Sequence, residues 1–335
     1  MRIAILSPIA WRTPPRYYGP WELIASTIAE ALVATGFDVS LFATGDSHTS
    51  GTLEAICPRS YEEDKSIDPK VWESLHISNL MEKAGNYDII HNHYDFLPLT
   101  YSRLIDTPII TTIHGFSSEQ IIPVYKKYNS TSTYISISDA DRHPDLNYHS
   151  TIYHGIDSKK FAFSAVKEDY LLFFGRIHEH KGTLEAIEIA KKSGYPLKIA
   201  GLIQDREYFA RHIEPQINNT NITYLGNVNQ AEGNALLGKA KALLHPIKFD
   251  EPFGLSVAEA MMCGTPVIAF NRGSMPEIID YEKTGFLVDG ISDAVSAIQN
   301  LDTISPDYCR SYAIKKFSIE TMIESYIQVY KDILG

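Results

Sequence analysis

What most limits the fold of this chain is an alternation of short apolar runs with stretches of helical periodicity along all 335 residues. Strand candidates in the first half are Ile3–Ser7, Phe37–Phe42, Asp88–His91, Pro108–Ile113 and Thr133–Ile137. The second half offers Tyr170–Phe174, Pro196–Ala200, Ile222–Leu225, Ala242–His245 and Pro266–Phe270. Runs of Ile, Val, Leu and Phe without polar alternation predict strands covered on both faces. Helical patterns lie between them, as in Trp21–Thr35, where Leu23, Ile24, Ile28, Ala31 and Leu32 share one face. Such alternation builds parallel sheets with right-handed crossovers.

The length exceeds one ordinary core and fits two domains of about 150 residues each. His154-Gly155-Ile156-Asp157 interrupts the pattern and Ser158-Lys159-Lys160 is polar. The expected division is therefore residues 1–158, residues 159–317, and a closing helix over 318–335 with no strand after it, placed to pack across both domains. The fold class is α/β, with two Rossmann-like, doubly wound parallel sheets. If they face each other, the carboxyl ends of both sheets line a cleft, where ligands of such sheets bind.

Composition narrows the partners. A net charge of −11 argues against nucleic acid, which needs a basic footprint, but leaves room for a local pocket for one small anion. Three distant cysteines, Cys57, Cys263 and Cys309, give no disulfide framework and no metal spacing, which points to a reducing cytoplasm. No apolar run approaches the roughly 18 residues of a membrane span. Pro8, Arg12 and Pro14-Pro15 cut short the run after Met1-Arg2, so it reads as a first strand rather than a signal peptide.

The second half carries the sharpest motifs. Phe174-Gly175-Arg176 ends a strand and Lys181-Gly182 opens the next helix. A glycine, two cations and a helix amino terminus suit a diphosphate, although the same spacing also fits two solvated surface charges. Farther on, Glu251 lies in a turn with Pro252 and Gly254, and Glu259 lies on the helix Leu255–Met262. The turn leaves backbone amides available at the helix start. A carboxylate accepts two hydroxyls side by side, as a ribose or hexose diol requires. Val257, Ala258, Ala260, Met261 and Met262 make that helix apolar on most sides, so Glu259 needs a partner.

These residues resemble the E-x7-E motif of GT-B retaining glycosyltransferases, and the stretch looks like family 4 of that class. The resemblance runs on through Gly264-Thr265-Pro266-Val267-Ile268-Ala269, Gly273-Ser274-Met275-Pro276-Glu277 and Lys283-Thr284-Gly285-Phe286-Leu287-Val288. It implies a GT-B fold, with the first domain taking the acceptor and the second the nucleotide-sugar donor. Arg176 and Lys181 would bind the diphosphate, Glu251 would lie by the donor sugar, and Glu259 would hold the ribose. The amides of Phe253, Gly254 and Leu255 would contact sugar or phosphate, and Val228, in Gly226-Asn227-Val228, would lie near the base.

The first half follows the family more loosely. Relatives carry two adjacent glycines where this chain has Gly19-Pro20, so one amide donor is missing. Proline there is also ordinary chemistry for a first helical position. The resemblance places His114 near the donor sugar and the reacting centre, and Asp95 toward the acceptor. Tyr18, with Trp11, Tyr17 and Trp21, offers a surface for an acceptor sugar or packs the loop on the core. His91-Asn92-His93 lacks a third metal ligand at useful spacing and reads as a cleft-edge or buried structural pair. Asp139-Ala140-Asp141 is expected to cap a helix.

The expected activity is a retaining, metal-independent transfer of a hexose to an acceptor hydroxyl, with no cofactor. UDP-glucose is the first choice of donor and GDP-mannose the second. The acceptor, whether sugar, lipid or small molecule, stays open, as do peripheral membrane contact and oligomeric state. One rival is a sugar-nucleotide-binding protein without catalysis. Another is a nicotinamide-dependent dehydrogenase, but that needs a compact glycine-rich turn after the first strand, where this chain has Pro8-Ile9-Ala10-Trp11-Arg12.

Overall fold

The structure is a computed structural model describing residues 1–335. The chain divides into two compact units, Met1–Gly155 with Ile319–Gly335, and Ile156–Ser318. The first holds β1 (Arg2–Leu6), β2 (Asp38–Phe42), β3 (Thr52–Glu54), β4 (Ile89–Asn92), β5 (Ile109–Ile113), β6 (Ser132–Ser136) and β7 (Tyr148–Thr151). They form one sheet in the order β3-β2-β1-β4-β5-β6-β7, parallel throughout. The helix Pro20–Ala34 follows β1. Gly19 caps it at φ 146, and Pro20 takes its first position, where a missing N–H costs nothing. The helix buries Ile24, Ala25, Ile28, Ala29 and Leu32. The closing helix, Ile319–Leu334, belongs to this first unit and packs on Pro20–Ala34.

The second unit holds β8 (Leu171–Phe174), β9 (Leu197–Ala200), β10 (Ile222–Tyr224), β11 (Ala242–His245), β12 (Val267–Phe270) and β13 (Gly285–Val288). Their order is β10-β9-β8-β11-β12-β13, again all parallel. In each sheet the order reverses beside the first strand of that unit, at β1 and at β8. Ligands of doubly wound sheets bind at such switch points.

Three strands escaped the sequence reading, β3, β7 and β13, and each is an edge. An edge strand has one hydrogen-bonded neighbour and a wetter surface, so it need not be an unbroken apolar run. Thr52–Glu54 and Tyr148–Thr151 are mostly polar. A second difference concerns Asp139-Ala140-Asp141. No helix follows it, because the segment is a turn in which the Asp141 N–H donates to Ser138 Oγ at 3.1 Å.

Candidate donor site

Three loops at the carboxyl ends of β8, β11 and β12 build the site in the second unit. The first leaves β8 through Gly175 and Arg176 and makes one tight turn over Glu179–Lys181. Gly182, at φ 75, then starts the helix Thr183–Ser193. A side chain at Gly182 would put its Cβ 1.9 Å from the Pro246 carbonyl oxygen, so only glycine allows this turn to lie on the loop after β11. The Lys248 N–H closes the contact, donating to the His180 carbonyl at 2.8 Å.

The second loop runs from Pro246 through Glu251 to Gly254, which at φ 87 caps the helix Leu255–Met262. No side chain caps that end, so its first amides stay available to a ligand. The third loop follows β12. A Cβ on Gly273 would lie 2.4 Å from the Glu251 backbone nitrogen. The Ser274 N–H donates to the Glu251 carbonyl at 2.9 Å, and Ser274 Oγ to the Phe253 carbonyl at 2.9 Å. The backbone that carries Glu251 is thereby fixed from both sides.

Lys181 and Glu251 meet here, with Nζ 2.5 Å from Oε2 and side chains only 16% and 13% exposed. Lys181 also lies 4.7 Å over the Phe249 ring. His245 Nε2 faces the same carboxylate oxygen from 3.6 Å, just beyond a formed hydrogen bond. Burial alone would raise the Glu251 pKa, but His245 and the Lys181 ammonium outweigh it and hold the carboxyl down at about 2. Glu259 has the opposite environment. No hydrogen bond reaches its carboxyl, and burial lifts its pKa to about 7, although the residue keeps a partial opening to solvent. The two glutamates of one motif thus differ in charge near neutral pH.

Arg176 Nη1 donates to Gln204 Oε1 at 2.7 Å. Val228 follows Gly226, whose carbonyl accepts from the Gly201 N–H at 2.8 Å. Beside it a cavity of about 420 Å³ is lined by Leu202, Ile203, Arg206, Phe209, Tyr224 and Asn227. Of these, Asn227 lies in the segment the sequence reading placed near the base; it missed the other five and also His245. Their only common signal is position, at or just past the end of a strand or at the helical turn that follows one.

In the first unit, four buried imidazoles line up. His93 Nδ1 and His114 Nε2 are 2.9 Å apart, and His114 Nδ1 and His154 Nε2 are 3.4 Å apart. His91 lies against His93 at a tilt of 42° with centroids 4.1 Å apart, and bonds Tyr330 and Thr112 through its two nitrogens, at 2.7 and 2.8 Å. Burial, reinforced by the neighbouring imidazoles, holds His93 and His114 well below the usual histidine pKa, and burial holds His91 and His154 at about 3. Both ring nitrogens of His114 are taken by other imidazoles and Trp21 stacks on its face at 5.6 Å, so it presents no open nitrogen to a sugar.

Asp95, at φ 79, is likewise occupied. It accepts from the Tyr125 hydroxyl at 2.5 Å and from Ser117 Oγ at 3.0 Å, which braces its own loop rather than facing outward. Tyr18 packs edge-on against Trp11 at 6.3 Å, while Tyr17 is exposed. Gly19 sits under Pro15 and beside the Glu22 carboxyl. Glu22 is buried, accepts the Trp11 N–H at 3.1 Å, and is raised by burial to about 7. No helix in either unit is long and apolar enough to cross a membrane.

Comparison with known proteins agrees with this architecture. Residues 156–314 match the family model "Glycosyl transferases group 1", and residues 22–160 match "Glycosyltransferase Family 4". A glycogen synthase of Mycobacterium tuberculosis is 25% identical, over 98% of this chain and 94% of its own. A protein of unknown function from the cps region of Klebsiella pneumoniae is 34% identical, over 48% of this chain and 46% of its own. Among solved structures, the sucrose-phosphate synthase of Thermosynechococcus elongatus has a TM-score of 0.80 at 19% identity, over 99% of both chains. Anabaena HepE in complex with UDP has a TM-score of 0.75 at 18% identity, over 99% of this chain and 100% of its own. Two Rossmann-like sheets and two family models that together run from residue 22 to residue 314 make this chain a GT-B glycosyltransferase of group 1, family 4.

Proposed function

We propose that the chain is a retaining, metal-independent hexosyltransferase that takes its sugar from a nucleotide diphosphate donor, with UDP-glucose the first candidate and GDP-mannose the second. The observation that carries this reading is the Lys181–Glu251 pair beside the uncapped helix start at Gly254. A diphosphate at that point would meet the Lys181 ammonium and the amides of Phe253, Gly254 and Leu255. Arg176 would swing from Gln204 to the same anion. Glu259, which lacks a protein partner, would accept the ribose hydroxyls, and the cavity beside Val228 has the size and mixed lining for a base. Glu251 would accept a hydroxyl of the donor sugar.

As the bond between the anomeric carbon and the diphosphate breaks, charge grows on the leaving oxygen. Lys181, Arg176 and the helix amino terminus would stabilise it without a metal. The acceptor hydroxyl would attack from the leaving-group face and give its proton to a phosphate oxygen. Gly19 and Tyr18 are assigned to the loop that receives donor and acceptor. His114 is assigned to holding Trp21 rather than to the chemistry. The three unpaired cysteines fit a reducing, cytoplasmic setting.

The test is a panel of UDP-glucose, UDP-N-acetylglucosamine, GDP-mannose and ADP-glucose, each read by release of its nucleoside diphosphate with and without candidate acceptors. Turnover with UDP-glucose ahead of the others is the expected result, and no release from any donor would overturn the catalytic reading. Lys181→Ala and Glu259→Ala should each weaken binding of the matching diphosphate. Unchanged thermal stabilisation by that diphosphate in both variants would refute the site.

A further inference from the structure

Glu251 is held in a lopsided way. Lys181 sits on Oε2 at 2.5 Å, and His245 Nε2 faces that same Oε2 at 3.6 Å, while no group in the chain reaches Oε1. His245 is the last residue of β11, in register with Ala269 of β12, and Pro246 follows it, so its backbone has little freedom. Its Nε2 is buried and has no hydrogen-bond partner. An orphaned nitrogen in so buried a place calls for a physical reason.

One reason lies in what happens to Glu251 when a ligand arrives. A diphosphate draws Lys181 away from Oε2. Without a replacement, Glu251 would be left as a buried, uncompensated anion next to a newly bound polyanion, and that cost would be subtracted from donor affinity. Lys248, the nearest lysine in sequence, is committed to Glu185 at 2.7 Å and Glu179 at 3.8 Å.

We propose that His245 is a positioning residue that takes over Oε2 of Glu251, through its Nε2 hydrogen, when Lys181 turns to the diphosphate. A movement of a few tenths of an ångström completes the bond, and such contacts are often long before ligand binds. The exchange releases Lys181 without stranding a charge, and it keeps Oε1 turned outward as the acceptor for a donor-sugar hydroxyl. The inference rests on the assignment of Lys181 to the donor diphosphate.

The experiment is a double-mutant cycle on the full chain, measuring Kd for UDP and for GDP by calorimetry at one pH and ionic strength. His245→Ala should weaken binding about tenfold in the presence of Glu251, and less than about twofold in a Glu251→Gln background, where no anion remains to compensate. His245→Gln, which keeps a donor, should restore most of the loss, and His245→Phe, which keeps the bulk, should not. That pair also serves if His245→Ala folds poorly. Equal weakening in both backgrounds, no weakening in either, or rescue by phenylalanine would each overturn the proposal. Lys181→Ala separates the two layers. If it leaves UDP and GDP binding unchanged, the donor site itself is wrong. If it abolishes binding while the His245 and Glu251 effects simply add, only the role of His245 falls.

Discussion

The two units solve the same problem in opposite ways. Each buries polar side chains at the carboxyl ends of parallel strands. The first unit uses neutral groups, a row of imidazoles from His91 to His154 closed off by the hydroxyls of Tyr330, Tyr326 and Thr112. The second uses opposed charges, Lys181 against Glu251, and leaves Glu259 waiting. In the row, His93 Nε2 has no partner. Each nitrogen–nitrogen contact in the row takes one hydrogen and one lone pair, so His114, in the middle, donates through one nitrogen and accepts through the other as a neutral ring. Burial keeps the rings of this row uncharged. The pair in the second unit needs its groups charged.

Acid should therefore break the first unit before the second, and this is the largest effect expected. The folded pKa of His76 is about 4 and those of His91 and His154 about 3, all lowered chiefly by burial, with His93 and His114 also well down. A histidine lowered on folding contributes full stability above its unfolded value near 6.5, and that contribution is lost as pH falls. At pH 5 His76, His91 and His154 each cost about 2 kcal/mol, and His93 and His114 act in the same direction. Glu22, raised to about 7 by burial, and Asp95, also raised, work the other way, but they are two carboxyls against five imidazoles. All three tryptophans, Trp11, Trp21 and Trp72, lie in the first unit, so fluorescence reports it alone. The tryptophan melt should fall steeply between pH 7 and 5, and coincidence with the far-UV transition at every pH would refute separate responses.

Removing one charge tests the other side. Lys181→Ala takes the ammonium from Glu251 and should destabilise the second unit by about 3 kcal/mol, toward the low end for broken buried pairs because both side chains keep some exposure and His245 can still donate to Oε2. Adding Glu251→Gln should recover most of that loss. Urea unfolding followed by far-UV ellipticity should register the change while tryptophan fluorescence stays put. Tyr330→Phe is the matching change in the first unit. It strips His91 Nδ1 of its partner at 2.7 Å and should cost about 1–2 kcal/mol, this time in the fluorescence transition.

The same contrast explains what the sequence allowed one to read. Most strands were legible as short, largely apolar runs, and the edges β3 and β7 were not, because Thr52–Glu54 and Tyr148–Thr151 are mostly polar. β13 is apolar and mostly buried, and its edge position does not explain why it was missed. Lys181, Glu251 and Glu259 stand in a spaced motif on one unit, so charge and spacing announced them. The histidine row draws on β4, the end of β5 and the segment after β7, and the two tyrosine hydroxyls that close it come from the helix Ile319–Leu334. Tyr330 lies 239 residues from His91, and no local pattern connects them. His245 was hidden differently. It occupies the final position of a strand, where a histidine can equally be packing, and only its 3.6 Å approach to Glu251 gives it meaning.

The smallest effect sharpens the comparison most, because it sets two glutamates of one motif against each other. Glu259 rises from 4.5 to about 7 on folding, through burial alone. A carboxyl raised in the folded state costs nothing below its unfolded value, and the cost grows as pH climbs from there until it is complete above the folded value. Its partial opening to solvent reduces the full linkage figure to about 1 kcal/mol at pH 8. Glu259→Gln removes the ionisation while keeping the shape, so it should stabilise the second unit by that amount at pH 8 and by only about a quarter as much at pH 5. Glu251→Gln should show no such crossover in this range, since its carboxyl is already ionised well above about 2. If both variants respond to pH alike, the two environments are not distinct and the division of labour between the glutamates fails. If only Glu259→Gln crosses over, the waiting carboxyl is a cost carried by the empty protein, one that hydroxyl donors from a bound ribose would remove.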